Sequence, residues 1–534
     1  MDMSQNRLTR RSLLRLAGSG ALALSAGAVL AACGGAASPT AGGTPAASAS
    51  PSASTSTAAR QTSATVGVVG DLNNLDPFVL SAVNFPMEEN LYDQLLRLNN
   101  QVQTSPDLAL SATPSTDGKS VTLKLRQGVK FASGATMTAD DVVKNFQRAK
   151  AKATGGNLYG WLQGLIGAQA TGTDEVVLSF PAPAPYIFDV LGMMSIIDPS
   201  DFNQLKQKAG GTGPFRLKDW VPGDHFTLVK NPTYWQPGVP LLDQVTFRVF
   251  DQPDSMVSTM QGGALDIAAA IPPTNYSQLK SAGFSMVTGQ DAAEFYYLGF
   301  APKEAPFGNK LVRQAIAHAV DKATMCKQVL YGLVQPIGTP FASFSPAYFS
   351  EFNDPYPYDL AKAKALLAQA GHASGISFTI PTPNNFPELG QFAQILQADL
   401  AKIGCTVKIT PMDPAQWYPI LDGGTYQGNF SFAGGTQMYP TLIAGSGNFA
   451  PQHNTVWPNG TPPAAYAQGL LAANATLDPT AQKKALRQMV TSLVDECWVV
   501  PIAFRQTFFA LKPQVHGFSF GIFNQPRMAG VTIS

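Results

Sequence analysis

Between residues 64 and 511 the apolar spacing switches repeatedly between the two-residue period of a strand and the longer period of a helix. The two kinds of segment do not alternate strictly. That mixture confines the chain to α/β or α+β architectures with more than one lobe. Residues 64–69 read as an edge-like strand, and Met87, Leu91, Leu95 and Leu98 can share one helix face. Residues 119–126 alternate as a strand with one buried face. Thr138 is suited to cap a helix whose first turn holds Asp140 and Asp141, where the helix dipole favours negative charge. Further strands are expected at 174–180, 225–230, 243–250, 405–410, 498–504 and 507–511. Helices are expected at 309–332, 358–371, 388–403 and 479–495, the second ending at Gly371.

Hydrophobic residues make up 45% of the 534 and charged residues 13%, which supports large packed cores under a rather neutral surface. The first 33 residues read as an export leader rather than a mature membrane span. Basic Thr9-Arg10-Arg11-Ser12-Leu13-Leu14-Arg15 precedes a short apolar run and then Leu30-Ala31-Ala32-Cys33. The paired arginines resemble a twin-arginine signal. Leu-Ala-Ala-Cys resembles a bacterial lipobox, in which Cys33 becomes the lipidated N-terminus. Removing Asp2 and Arg7, Arg10, Arg11 and Arg15 with the leader takes the 36 basic and 35 acidic residues to 32 and 34. A nearly neutral chain has no electrostatic footprint for nucleic acid. Residues 33–62 are rich in Gly, Ala, Ser, Thr and Pro and read as a flexible tether. No later segment is long and apolar enough to span a bilayer. Cys326, Cys405 and Cys497 sit among apolar neighbours and read as buried thiols, with one disulfide left open.

Local motifs for chemistry are sparse. None of His225, His318, His372, His453 and His516 lies three to five residues from another, so no local metal pair is expected. Gly445-Ser446-Gly447 lacks the spacing of a nucleophile elbow. Gly211-Thr212-Gly213-Pro214 lacks the amide and the lysine of a phosphate loop, and reads as a tight turn approaching another backbone. The acidic pairs Glu88-Glu89 and Asp140-Asp141 do not face each other on a helix and read as solvated or capping charges. No enzyme, cofactor or metal is expected from these patterns. Residues 430–440 are different: a strand runs into a glycine-rich loop with amide, hydroxyl and aromatic groups, the kind of place where ligands are held.

Several stretches in order resemble the family 5 extracellular solute-binding proteins, the receptors of ABC importers for dipeptides, oligopeptides and nickel. They are Leu75-Asp76-Pro77, Asn90-Leu91-Tyr92-Asp93, Pro106-Asp107-Leu108-Ala109, Thr116-Asp117-Gly118-Lys119 and Thr138-Ala139-Asp140-Asp141. Gly211-Thr212-Gly213-Pro214-Phe215, Asn231-Pro232-Thr233-Tyr234-Trp235 and Val312-Arg313-Gln314-Ala315 follow in the same order. The resemblance spans residues 65–530. It implies an α/β, two-lobed periplasmic-binding-protein-like fold with mixed sheets and a ligand cleft between the lobes. Lobe I would be residues 63–288, with an extra subdomain, plus a return at 500–534, and lobe II would be 289–499. Partners would be an ABC permease and ATPase, with the membrane reached through the lipid anchor, and the receptor would be a monomer. Ligand contacts would fall at Asn84 and Phe85, at Phe432, Thr436, Gln437, Met438 and Tyr439, and at Trp417 with its neighbour Tyr418. Peptide-binding members usually place an aspartate in the second of these loops to pair the peptide's ammonium. Residues 432–442 here contain no carboxylate, so Asp413, Asp422 or Glu294 would have to serve. The expected ligand is a peptide or peptide-like solute. Sugars, opine-like compounds, chelated metals, a surface hydrolase and a signalling or chaperone-like receptor are the alternatives.

Overall fold

Strand β1, Ser63–Val69, lies at the centre of a sheet and not at its edge. Its residues pair in parallel with the strand Gln244–Phe250 on one side, from Ser63 opposite Gln244 to Val69 opposite Phe250, and with the strand Ile267–Ile271 on the other. The expected edge position fails because a central strand buried on both faces has the same short apolar pattern as an edge strand. Gly67 explains how a helix fits there. A Cβ at this position would stand 2.7 Å from the Leu265 side chain and 2.8 Å from that of Met256 on the helix Pro253–Gln261, so a larger residue would have to displace both.

In the computed structural model, residues 61–99, 103–289, 294–434, 439–444, 449 and 455–534 are described, and all fall in one compact unit. After β1 come β2 (Phe215–Val221), β3 (His225–Lys230), β4 (Gln244–Phe250), β5 (Ile267–Ile271) and β6 (Ser285–Thr288). The second lobe supplies β7 (Glu294–Phe300), β8 (Ser377–Pro383), β9 (Thr406–Met412), β10 (Gly428–Gly434) and β11 (Val499–Arg505). Strand β12 (Phe508–Leu511) then returns to the first sheet, whose order is β6-β12-β5-β1-β4-β3-β2. A four-stranded sheet built from Ala109–Pro114, Ser120–Leu125, Gly167–Ala170 and Glu175–Ser179 shares the first lobe's core.

The second lobe is organised around β7, which is antiparallel to β10 and β11 on its two sides. Side chains alternate across a strand. Tyr296, Leu298 and Phe300 therefore enter a core with the helix Pro387–Ala401, and Phe295 and Tyr297 enter a second core with the helix Pro479–Glu496. Burial on both faces is why β7 is apolar almost throughout. β11 pairs with β7 out to Arg505, so the expected boundary at 499/500 falls inside this strand, and the next strand, β12, pairs with β5 and β6 of the seven-stranded sheet.

Local signals account for many element ends. The Thr138 hydroxyl accepts the Asp141 N–H while the Asp141 carboxylate accepts the Thr138 N–H at 3.0 Å, opening the helix Ala139–Lys150. Gly371 takes a φ of +86° at the end of Leu360–Gln369, as a left-handed cap requires. Gly211 and Gly213 press on the Leu91–Tyr92 backbone, where a Cβ on Gly213 would lie 2.5 Å from the Leu91 carbonyl carbon. The three described cysteines are buried and free.

Three other expectations are corrected. The helix at 87–98 is only Phe85–Leu91, after which the chain turns into a short strand, Leu96–Leu98. The helix at 309–332 is two helices, Lys310–His318 and Lys322–Gln328, because Asp321 caps the second through the Thr324 N–H at 2.9 Å. Glu88 and Glu89 are buried, not solvated. Glu89 pairs with Arg527 at 3.0 Å, whereas burial, then Glu89 and Asp76, push the Glu88 carboxyl well above the usual range. A seven-residue helix packed on every side leaves no solvated face.

Candidate functional site

The register of the second-lobe sheet places Glu294, the first residue of β7, opposite both Gly434 at the end of β10 and Arg505 at the end of β11. Arg505 Nη1 donates to Glu294 Oε2 at 2.5 Å, and its Nε donates to the Tyr296 hydroxyl at 3.3 Å. The same hydroxyl donates to Glu388 Oε1 at 3.2 Å, from the first turn of the helix Pro387–Ala401. The guanidinium lies 4.7 Å over the Phe432 ring, which Phe386 meets edge-on at 4.9 Å. Burial works against the Arg505 charge, but Glu294 and Tyr296 outweigh it and hold the group above its ordinary range. Burial also raises the Tyr296 hydroxyl, so it stays protonated and remains a donor.

Phe504 and Gln506 flank Arg505 in sequence. Both border a cavity of about 690 Å³, together with Thr288, the last residue of β6, Gly289 after it, and the segment from Pro336 to Tyr348. That segment is fixed to β11 by the Ile337 N–H, which donates to the Ile502 carbonyl at 3.0 Å. The cavity thus lies beside the two places where the chain passes between the seven-stranded and the three-stranded sheets.

The loop residues from the first lobe divide in role. Asn84 is fully buried and its amide is spent on the neighbouring turn: its Nδ2 donates to Asn73 Oδ1 at 2.9 Å, and its Oδ1 accepts the Asn73 N–H at 3.1 Å. Phe85 stacks on Phe523 with centroids 4.9 Å apart, and Phe523 packs with Tyr439 against Leu98, Met193 and Leu442. Phe85 thus stacks on a ring, Phe523, that packs on the same apolar cluster as Tyr439. Thr436, Gln437 and Met438, like Cys33, lie outside the described residues. Trp417 is 1% exposed in an apolar core, where its Nε1 donates to Asn429 Oδ1 at 2.9 Å, while Tyr418 is exposed.

Asp189 was not anticipated. It lies on the helix Ile187–Met193 of the first lobe, and its carboxylate accepts the Tyr439 backbone N–H from the second. Burial pushes this carboxyl up to about 7, against a lowering by that N–H. Its sequence signal was a single acid inside the apolar run 187–194. Arg505 and Glu388 had no such signal, because each belongs to a different segment. Of the three acids considered as ammonium partners, Glu294 is at the sheet end, Asp413 precedes the helix Pro414–Gly423, and Asp422 is exposed. Among the described residues no three His, Cys, Asp or Glu side chains gather as metal donors, and no helix is long and apolar enough to cross a membrane.

Residues 103–455 match the family model described as bacterial extracellular solute-binding proteins, family 5, middle part. The glutathione-binding protein GsiB of Escherichia coli strain K12 is 28% identical over 373 residues, covering 68% of this chain and 72% of that protein. The fold is similar to that of NikA from Brucella suis in complex with Fe(III)-EDTA, with a TM-score of 0.80, 24% identity, and coverage of 88% of this chain and 100% of that one. It is also similar to AgaA of A. tumefaciens R10 in complex with agropinic acid, with a TM-score of 0.76, 23% identity, and coverage of 88% and 99%. These likenesses show a two-lobed periplasmic-binding-protein fold.

Proposed function

The chain belongs to the bacterial extracellular solute-binding proteins of family 5, and we propose that it is the receptor of an ABC importer for a peptide or peptide-like solute. The observation that carries this reading is the cavity of about 690 Å³ beside the two passages of the chain between the seven-stranded and three-stranded sheets, lined by Thr288 and Gly289, the segment from Pro336 to Tyr348, and Phe504 and Gln506. Its volume lies in the range that encloses small ligands, about 300–1,000 Å³. A solute touching both lobes favours their closed arrangement, and the closed form is what a permease would recognise. Binding and release of an unchanged solute need no covalent step, so the protein acts as a receptor and not as a hydrolase.

In this reading lobe I is residues 63–288, including the four-stranded subdomain, and lobe II begins at 289. The final residues return to lobe I from β12 onward. Residues 1–32 direct export, Cys33 carries the lipid, and the segment to residue 62 tethers a monomeric receptor on the outer face of the cytoplasmic membrane. GsiB, named for glutathione, supports a peptide-like solute, since glutathione is itself a modified tripeptide. A second reading, a non-peptide solute, is favoured by the absence of a carboxylate from residues 432–442 and by the engagement of Glu294 with Arg505. Agropinic acid with AgaA and Fe(III)-EDTA with NikA are ligands of that kind on this fold.

A thermal-shift screen of the full chain in detergent tests both readings. The panel would hold di- to octapeptides, N-blocked peptides, oligosaccharides, opines and metal chelates. A ligand at 100 times its dissociation constant adds about 2.7 kcal/mol of stability. Shifts with peptides support the first reading, and shifts only with the other classes replace it by the second. Turnover of any compound would make the protein an enzyme.

A further inference from the structure

We infer that the solute carries a free amino-acid head, an ammonium and a carboxylate on one carbon, and that Arg505 takes the carboxylate while Glu388 takes the ammonium. This rests on the receptor reading and names the solute class within it, with the head group held beside the cavity, on the face of β11 opposite the Phe504 and Gln506 side chains that line it.

The guanidinium of Arg505 is positioned before any ligand arrives. Glu294 holds Nη1, Tyr296 holds Nε, and the Phe432 ring supports its face. Its Nη2 has no hydrogen-bond partner among the described residues, and the side chain remains 33% exposed. A fixed planar fork with open donors suits a carboxylate. Glu388 is half-buried and spends one oxygen on the Tyr296 hydroxyl, with no partner for the other among the described residues.

The charges decide between ligand types. Two carboxylates and one guanidinium leave one excess negative charge at the sheet end. A purely anionic ligand would meet that excess, and a purely cationic one would face the guanidinium. A zwitterion satisfies both. Spacing narrows the choice further, because only the Tyr296 hydroxyl separates Arg505 Nε from Glu388, by bonds of 3.3 and 3.2 Å. An ammonium and a carboxylate on one carbon fit so short a gap. The two ends of an extended linear tripeptide lie about 10 Å apart and do not. Peptides joined through a side-chain carboxyl, and amino acids alkylated or acylated away from the α-carbon, keep such a head free. Residues 432–442 offer no acid of their own, so the ammonium partner must come from another segment, as Glu388 does.

The test is calorimetric titration of the full chain in detergent with three thiol-free tripeptides: γ-Glu-Ala-Gly, its N-acetyl derivative, and α-linked Glu-Ala-Gly. The γ-linked peptide should bind at least tenfold tighter than the other two. Arg505→Gln should abolish that preference, Arg505→Lys should restore part of it, and Glu388→Gln should weaken the γ-linked peptide but not its N-acetyl form. The ligand-free thermal midpoint of each variant separates loss of fold from loss of contact. Equal binding of all three peptides, or a preference that survives Arg505→Gln, overturns the inference. If none of the three binds while the wider screen finds another ligand, the head-group inference fails and the receptor reading stands. If nothing binds in either experiment, both fail.

Discussion

The carboxylate of Asp189 accepts the backbone N–H of Tyr439, which ties a helix of the first lobe to the chain just beyond β10 in the second. The contact is enclosed by apolar side chains, and burial raises the carboxyl to about 7. A free aspartate titrates near about 3.9. Burial therefore favours the protonated acid, although the N–H favours the carboxylate. The stability held by the buried acid is complete below the free value and is lost as pH rises through about 7. Ligand affinity should fall by roughly a factor of ten or more between pH 5 and pH 8 if closure buries this carboxyl. Dissociation constants measured across that range for the native chain and for Asp189→Asn check it. The variant should give a nearly flat profile, and parallel profiles would remove Asp189 from the closure.

Gly213→Ala should be strongly destabilising. Its Cβ would stand 2.5 Å from the Leu91 carbonyl carbon and 2.8 Å from the Tyr92 nitrogen, and both obstacles are backbone. Forced overpacking of this kind costs about 1–3 kcal/mol or more. Urea unfolding of the variant would show an earlier midpoint with an unchanged slope.

Trp417→Phe separates core from cleft. The substitution leaves the buried Asn429 Oδ1 without the indole N–H it now accepts, at a cost of about 1–3 kcal/mol. Stability should fall while ligand affinity stays the same. A loss of affinity at temperatures where the variant is fully folded would return Trp417 to the binding surface.

Cys33→Ala should move the protein from the membrane fraction to the soluble fraction after cell breakage. The motive is the sequence Leu30-Ala31-Ala32-Cys33. Retention in the membrane fraction at the native level would exclude a lipid at this position.

Much of the scaffold was legible because its signals are local. The Thr138 cap, the Gly371 stop and the close approach at Gly211 and Gly213 each depend on a few adjacent residues. What escaped depended on distant neighbours. The central place of β1 is set by strands that begin at Gln244 and Ile267, and the burial of Glu88 and Glu89 by packing around a helix too short to be amphipathic. Phe85 and Tyr439 were singled out from the sequence, whereas the cluster at the sheet end was not. Glu294, Glu388 and Arg505 come from a strand start, a helix start and a strand end, and only the sheet register makes them neighbours.

The central place of β1 has a mechanical consequence. It is the first strand after the proposed tether, so any tug from the membrane enters the folded body through it. With its full length bonded to β4 and its middle also bonded to β5, a pull along its axis loads these bonds in shear, together, instead of peeling them one by one. Drag on a receptor held by its first strand is thereby spread into the middle of the largest sheet, and the hinge is spared the load.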